Sequence, residues 1–411
     1  MASTLPNLRH LQLLLEAQRR GSISAAARAA HLSQPAVTQA IAAVERWFGG
    51  ELLRRGSLGL QASAAGQAAL ARIERTLGLL REGLAGLRAA ANQSLRDITS
   101  AQLLALTQMA GQGSFAAAAA RARRSRATVH RAVRQLEAQL GVSLVDHASG
   151  RLILTREGEK LLQRAQLAVA EMTQARDEFA HADGRGGGST VIGAMPLARS
   201  ALVPHAVLAF AAEQPAHALS ILEGPYDTLL SALRRGEVDF LVGALRSPLA
   251  VSDVEQEHLF DDPLSLIVRA DHPLTATRSP GLAALARYPW IAPRVESPLR
   301  RHFDILYRRL GTPNAVAPIE CNSLSAARAL LLASDRIMVL SEHQVHHELT
   351  SGQLAALAHP LGRSSRAIGL TFRRNWHPTP AQARLLAVLR AQAGRIVEEM
   401  RILSIDASRQ Y

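Results

Sequence analysis

The chain has a single cysteine, Cys321, and a single lysine, Lys160, among 411 residues. One cysteine excludes an intramolecular disulfide, structural or switching, and reads as a small buried apolar side chain. The scarcity of lysine excludes nothing, since genomic base composition produces the same bias. Although 48% of the residues are hydrophobic, no apolar run is long enough to cross a bilayer. Residues Met1 to His10 carry no apolar stretch of secretory type, so the expected location is the cytoplasm, without membrane contact. There is no G-x-S-x-G, no Walker loop and no dinucleotide fingerprint, which argues against an enzyme and implies no cofactor.

What the chain does have is a repeat. The segment Gly21 to Ala27 recurs as Gly113 to Ala119, an offset of 92 residues. The same offset pairs Ser33 with Ser125, Val37 with Val129, Ala40 with Ala132, Glu45 with Glu137, Gly49 with Gly141, Leu52 with Leu144 and Gly66 with Gly158. A gapless register of that length implies duplication of a unit of about 60 residues. Charge follows it. Up to Arg185 there are 24 basic and 14 acidic residues, a balance of +10, against 23 and 20 beyond, a balance of +3. A basic half supplies the sequence-independent phosphate attraction of a DNA binder. The length suits two or three domains with their own cores.

In the first copy Leu11, Leu14 and Leu15 form an apolar stripe, Gly21 ends that helix and Ser22 is placed to cap a second, Ser24 to Ala30. A third helix begins at Ser33, with Pro35 in its first turn and Val37, Ile41 and Val44 facing inward. This is helix-turn-helix grammar, and the strand pair ending near Ala62 reads as a wing. The residues expected to face DNA are Ser33, Gln34, Pro35, Thr38, Gln39 and Arg55, and in the second copy Ser125, Arg126, Thr128, His130, Arg131 and Arg134. Glutamines pair with adenine edges and arginines with guanine or phosphate, so the two copies are expected to read different half-sites. The competing reading makes the repeats alanine-rich spacers.

These motifs resemble the DNA-binding domain of LysR-type transcriptional regulators. Gly21, Ser22, Ala26, Ala27, Ser33 to Thr38, Ile41, Glu45, Gly49, Leu52 and Arg55 meet that family's pattern. The second copy meets it from Gly113 to Gly158 but has Arg126-Ala127 in place of Gln-Pro and His147 in place of Arg. Behind each copy lies an apolar seam, Leu70, Ile73, Leu77, Leu80, Leu84 and Leu87, then Leu162, Ala165, Val169, Met172, Arg176 and Phe179. In the resembled family this linker helix makes a dimer. Here the expectation is an antiparallel pairing within one chain, and a homodimer, joined through the C-terminal domains, in place of the family's tetramer.

Gly184 to Ser189 reads as a hinge. Beyond it strands and helices alternate, which argues for parallel βαβ units in two halves with a cleft between them. Ile192-Gly193, Glu223-Gly224, Gly236 to Asp239, His272 to Leu274 and Ser351 to Leu354 resemble, in order, the family's effector domain, which looks like a periplasmic binding protein. The expected fold is thus multidomain: two all-α winged helix-turn-helix units with linker helices, then a two-lobed α/β effector domain. The expected boundaries are 5–62 and 63–92 for the first unit and its linker, 97–154 and 155–183 for the second, 184–189 for the hinge and 190–403 for the effector domain.

Ligands of open α/β sheets sit beyond strand carboxyl ends, at helix N-termini that suit anions. That points to Pro196, Leu197, Ala198, Arg199 and Ser200, to Pro225 and Tyr226, to Gly243 to Arg246 with Leu245 foremost, and to Asn322 and Ser323. Arg199 beside a Ser200 cap could hold a carboxylate or phosphate and Tyr226 could stack on a ring; equally, they could be a surface charge and a rim residue. His343, His346 and His347 lack the companions of a closed metal site and read as solvated, so no metal is expected. The implied partners are double-stranded promoter DNA, a small effector, RNA polymerase and a second copy of the chain. The alternative is a ligand receptor or enzyme-derived domain with an appended DNA module, the second helix-turn-helix being structural only.

Overall fold

A computed structural model describes residues 5–57, 59–87, 95–109, 120, 125–148, 151–184, 186–196, 198, 200–249, 251–277, 279–295, 297–311, 316–357 and 364–409. The chain divides into two compact units: one of residues 1–189 with the short segments 216–218 and 234–237, the other of the rest.

In the first unit, helix α1 (Leu8–Arg20) starts at Asn7, whose side chain accepts from the N–H of Arg9. Helix α2 (Ile23–Ala29) is capped by Ser22, and α3 (Gln34–Phe48) follows with Ser33 as its N-cap and Pro35 in its first turn. Strands β1 (Leu53–Gly56) and β2 (Gly59–Ala62) pair antiparallel as the wing, before α4 (Ala64–Ala85). The second copy repeats this as α5 (Ser100–Met109), α6 (Arg126–Leu140), the hairpin β3 (Val145–Ala148) with β4 (Arg151–Leu154), and α7 (Arg156–Ala182). The counterpart of α2, with the Gly113 to Ala119 motif, lies outside the described residues.

The duplication holds at the level of single bonds. Glu45 Oε1 accepts from the N–H groups of Leu52 and Leu53, and Glu137 Oε1 from those of Leu144 and Val145, which anchors each wing to its recognition helix. Ser63 and Thr155 cap α4 and α7 by accepting from Gly66 and Gly158. Both glycines are dictated by close approach: a Cβ would lie 2.3 Å from the Leu52 carbonyl oxygen at Gly66 and 2.0 Å from that of Leu144 at Gly158.

Helices α4 and α7 run antiparallel in one chain, as the ion pairs Arg72–Glu178, Arg75–Glu171 and Glu82–Arg164 show. All six α4 seam leucines and isoleucine are buried, with Leu162, Ala165, Met172 and Phe179 of α7; Val169 is partly buried. The apolar seam also encloses charge. Arg72, 1% exposed, donates to both oxygens of Glu178 at 2.6 and 2.9 Å, to Glu171 at 3.0 Å and to Gln174 at 2.8 Å. Such a cation is tolerable only because every direction in which it donates meets an acceptor. At one end of the seam Phe48 meets Phe179 edge-on at 5.5 Å and Arg176 lies 5.6 Å over Trp47, so the seam position 176 that breaks the apolar pattern is a cation on an indole.

The second unit is a mixed sheet. Its first lobe holds β5 (Ser189–Ala194), α8 (Leu202–Glu213), β6 (Ala218–Glu223), α9 (Tyr226–Arg234) and β7 (Phe240–Ala244). Strand β8 (Val254–Arg269) leads into the second lobe, where α10 (Leu282–Leu285), β9 (Trp290–Ala292), α11 (Pro298–Arg309), β10 (Ile319–Glu320), α12 (Leu324–Leu332), β11 (Ile337–Ser341), α13 (His346–Thr350) and β12 (Leu354–Leu357) follow. Strand β13 (Ser365–Arg373) returns to the first lobe and α14 (Pro380–Arg409) ends the fold. The order is β10-β9-β11-β8-β13-β7-β5-β6, with β12 also on β8.

The expectation of parallel βαβ units holds for β5 with β7 and for β9 with β10 and β11. It fails at the centre, where β8 and β13 pair antiparallel with each other and with β11 and β7. The reason is topological: the two lobes share strands that enter from opposite sides, so each must meet its neighbour head to tail. Each lobe keeps its own core, around Phe210, Phe240 and Leu389 in the first and around Trp290, Phe303 and Leu306 in the second.

Candidate nucleic-acid interface and effector cleft

The third helix of each copy has two faces. On α3, Val37, Ala40, Ile41, Val44 and Phe48 are buried, and on α6, Val129, Val133, Leu136 and Leu140. Their opposite faces carry Ser33, Gln34, Pro35, Thr38 and Gln39, and Ser125, Arg126, Thr128, His130, Arg131 and Arg134, every one exposed, as is Arg55 on the wing. A 3.6-residue period dictates this division, because anchoring the apolar stripe leaves the polar one outward. Ser24 Oγ donates to Gln34 Oε1 at 3.0 Å, and Thr38 Oγ1 to the Gln34 carbonyl at 3.0 Å. In α6 the Ser125 and Thr128 hydroxyls lie 2.7 Å apart, and Arg134 donates to Glu137 at 2.8 Å, which ties that guanidinium to the carboxylate anchoring the wing. His147, at the place of the family's wing arginine, lies on β3.

In the second unit, strand register brings strand ends of the two lobes toward one segment. The end of β7 sits opposite Ile368, which is itself opposite Phe260; the end of β11 sits opposite Leu264. The carboxyl ends of both lobes therefore converge on the crossing segment 260–264 of β8. Beside that segment lies a charged cluster. Asp262, fully buried, accepts from Ser341 Oγ at 2.6 Å and Arg366 Nε at 2.9 Å and lies 3.2 Å from His343 Nδ1, while Arg366 also donates to Gln344 at 2.7 Å. Nearby, His302 Nδ1 lies 2.6 Å from Ser364 Oγ, and burial followed by the adjacent Arg366 and Arg301 holds its pKa below the ordinary value.

Pro196 and Ser200 are exposed after β5, Pro225 is exposed and Tyr226 half-buried after β6, and Leu245 is half-buried after β7. Ala198 is buried in the first-lobe core, so its side chain is not available to a ligand. Ser200 does not cap α8: the N-cap is Ala201, without a side-chain bond. Leu197 and Arg199 lie outside the described residues. In the second lobe Asn322 and Ser323 are exposed, and Ser323 caps α12 by accepting from Ala326. Sequence reasoning missed Asp262 and Arg366; Arg246, at the end of the expected segment Gly243 to Arg246, has its guanidinium 4.6 Å over the Tyr226 ring. Burial raises the pKa of that phenol, Arg246 opposing the rise. Of the histidines expected to be solvated, His343 is half-buried beside Asp262, whereas His346 and His347 are exposed on α13.

The family described as bacterial regulatory helix-turn-helix protein, lysR family, matches twice, over residues 8–67 and 100–159, and the LysR substrate binding domain matches residues 183–394. The chain belongs to the LysR family. It is a DNA-binding transcriptional regulator with an effector-binding domain, in a family of regulators rather than enzymes. It is similar to the HTH-type transcriptional regulator GalR of Pseudomonas putida, 30% identical over 386 residues that cover 94% of this chain and 97% of that one. PcaQ of Agrobacterium fabrum is 31% identical over 299 residues, 72% of this chain and 95% of its own. The fold is shared with ArgP from Mycobacterium tuberculosis, at a TM-score of 0.55 and 20% identity over 71% of this chain and 96% of that one. A full-length OxyR variant from Pseudomonas aeruginosa gives a TM-score of 0.53 at 24% identity, over 71% and 93%. Among the described residues no helix is long and apolar enough to cross a membrane.

Proposed function

We propose that this LysR-family regulator is two-headed, each winged helix-turn-helix reading one half-site of an asymmetric operator in promoter DNA. The observation that carries this reading is the exposed polar face on both α3 and α6, glutamine-bearing on the first and arginine-bearing on the second. Ser33 to Gln39 with Arg55 serve one half-site, and Ser125 to Arg134 the other. The test is a pair of footprints: Gln34→Ala weakens one half and Arg131→Ala the other. Both substitutions erasing the same half would overturn the reading. A uniform loss of affinity in Arg131→Ala with a flatter salt dependence would instead make the second head a phosphate clamp.

The effector is a small, anionic molecule held between Pro196, Ser200, Pro225, Tyr226 and Leu245 of one lobe and Asn322 and Ser323 of the other, with Arg246 as the cation beside Tyr226. Its binding acts on DNA bending and so on RNA polymerase at the promoter, in the cytoplasm. The functional segments are 5–62 and 97–154 for the heads, 63–92 and 155–183 for the linkers, 184–189 for the hinge and 190–403 for the effector domain. Two copies join through effector domains. Leu208 on α8 is 69% exposed, and Ile221 and Leu222 on the edge strand β6 are 45% and 44% exposed, an apolar edge of the kind that a second copy covers.

A further inference from the structure

We propose that the α4–α7 seam is keyed to a single pairing, the two halves of one chain, and rejects the like-with-like pairing of linker helices between chains. Three features of the seam, each distributed unequally between the two copies, carry this inference.

The first is charge. Facing the seam, α4 carries Arg72, Arg75 and Glu82, and α7 carries Arg164, Glu171 and Glu178. The groups ion-paired across the seam are unbalanced within each helix, basic from α4 and acidic from α7, and neutral only in combination, while Arg176 is held apart over Trp47 of the first head. By the 92-residue offset, position 171 corresponds to Leu79 and position 178 to Gly86. Two α4 helices would therefore set Arg72 against Leu79, Glu82 and Gly86, and neither Glu171 nor Glu178 would be present. Two α7 helices would crowd the four glutamates around the two Arg164 side chains. Unmatched charge at a helix seam is what sets partner choice in coiled coils.

The second is size. A Cβ on Gly83 would come within 3.0 Å of the Arg164 Cβ and 3.3 Å of Leu161 Cδ1, so the absence of a side chain there makes room for α7. The counterpart of Gly83 is Ala175 and that of Leu161 is Ala69, all but Gly83 being fully buried apolar residues of this core. Pairing unlike helices sets Gly83 against Leu161, and by the symmetry of the repeat it sets Ala175 against Ala69. Pairing like with like puts Gly83 against Ala69, leaving a void, or Ala175 against Leu161, forcing an overlap; close-packed cores penalise both.

The third is the aromatic end. Phe48 and Trp47 of the first head meet Phe179 and Arg176 of α7, and the corresponding α4 residues are Leu87 and Leu84. A second α4 would offer Trp47 no cation. The partner this surface fits is thus the other half of the same polypeptide, and the seam insulates the chain from second copies and from single-headed members of its own family.

The test uses the full chain with Cys321→Ser, which removes the sole cysteine, and the pair Glu82→Cys and Arg164→Cys across the seam. Mild oxidation is expected to close the disulfide within one chain, with no covalent two-chain product when tagged and untagged chains are co-expressed. A covalent tagged–untagged band at a yield comparable to the intrachain product would overturn the proposal. A second arm reverses charge. Arg72→Glu with Arg75→Glu should cut the intrachain yield severalfold, and adding Glu171→Arg with Glu178→Arg should restore it; failure of the restoration in a folded protein counts against charge keying. Neither arm involves DNA or effector, so either can fail while the proposed function stands.

Discussion

Gly66 and Gly158 each hold a helix against a wing, and the atom that an added Cβ would meet is a backbone oxygen that cannot move aside as a side chain would. Alanine at either site is expected to cost about 3 kcal/mol, read as a lowered thermal midpoint, and to loosen only the wing of its own copy. His272 makes a different residue-scale prediction. Its Nδ1 accepts from the Leu274 N–H at 3.0 Å and its Nε2 faces the Asp335 carbonyl at 3.2 Å, so the ring is held in its neutral form. Burial lowers its pKa from the ordinary 6.5, as it does for His302. The unfolded chain then binds the proton more tightly, and the stability owed to these rings is complete above about pH 6.5 and lost as the pH falls below it. The thermal midpoint of the wild type should drop between pH 7.5 and pH 5.5, and His272→Gln should flatten that dependence.

At the scale of elements, the recognition helices were legible because helix periodicity and a repeat speak about the same residues. The apolar positions 37, 41 and 44 left only one face for Gln34, Thr38 and Gln39. The strands of the effector unit were legible one at a time, but their order was not: Asp262 and Arg366 stand opposite each other across an antiparallel register that no local pattern encodes. The same holds for β9 and β12, too short for periodicity to show. Among the residues expected after the strand ends, Ala198 turned inward and the helix began one residue beyond the expected Ser200 cap. Because Asp262 is fully buried beneath Arg366, Ser341 and His343, Asp262→Ala leaves a buried cation without its carboxylate. It should destabilise the effector unit by about 3 kcal/mol, while Asp262→Asn keeps part of the loss at bay. Denaturant unfolding of both variants checks the order.

For the molecule as a whole, Leu208→Glu combined with Ile221→Asp should shift sedimentation from two chains per particle to one while each chain keeps both heads. The joint between units calls for a different handling. Gly186, Gly187 and Gly188 have φ of +63°, +97° and +119°, so alanine there would strain the backbone rather than merely stiffen it. Lengthening the segment by a few Gly and Ser residues is the cleaner probe: the transcriptional response to effector should weaken while gel-shift affinity for the operator stays nearly unchanged. If affinity and response fall together, the joint is part of the DNA-binding architecture.

The antiparallel embrace of α4 and α7 in one polypeptide also changes what inheritance can do. In a dimer of identical chains every mutation is made twice, and a new base preference in one head is forced on the other. Here α3 and α6 are encoded by separate stretches of one gene, so, with each helix reading its own half-site as proposed, either can drift toward a new sequence while its neighbour keeps hold of the old one. The promoter need never pass through a form that neither head can grip.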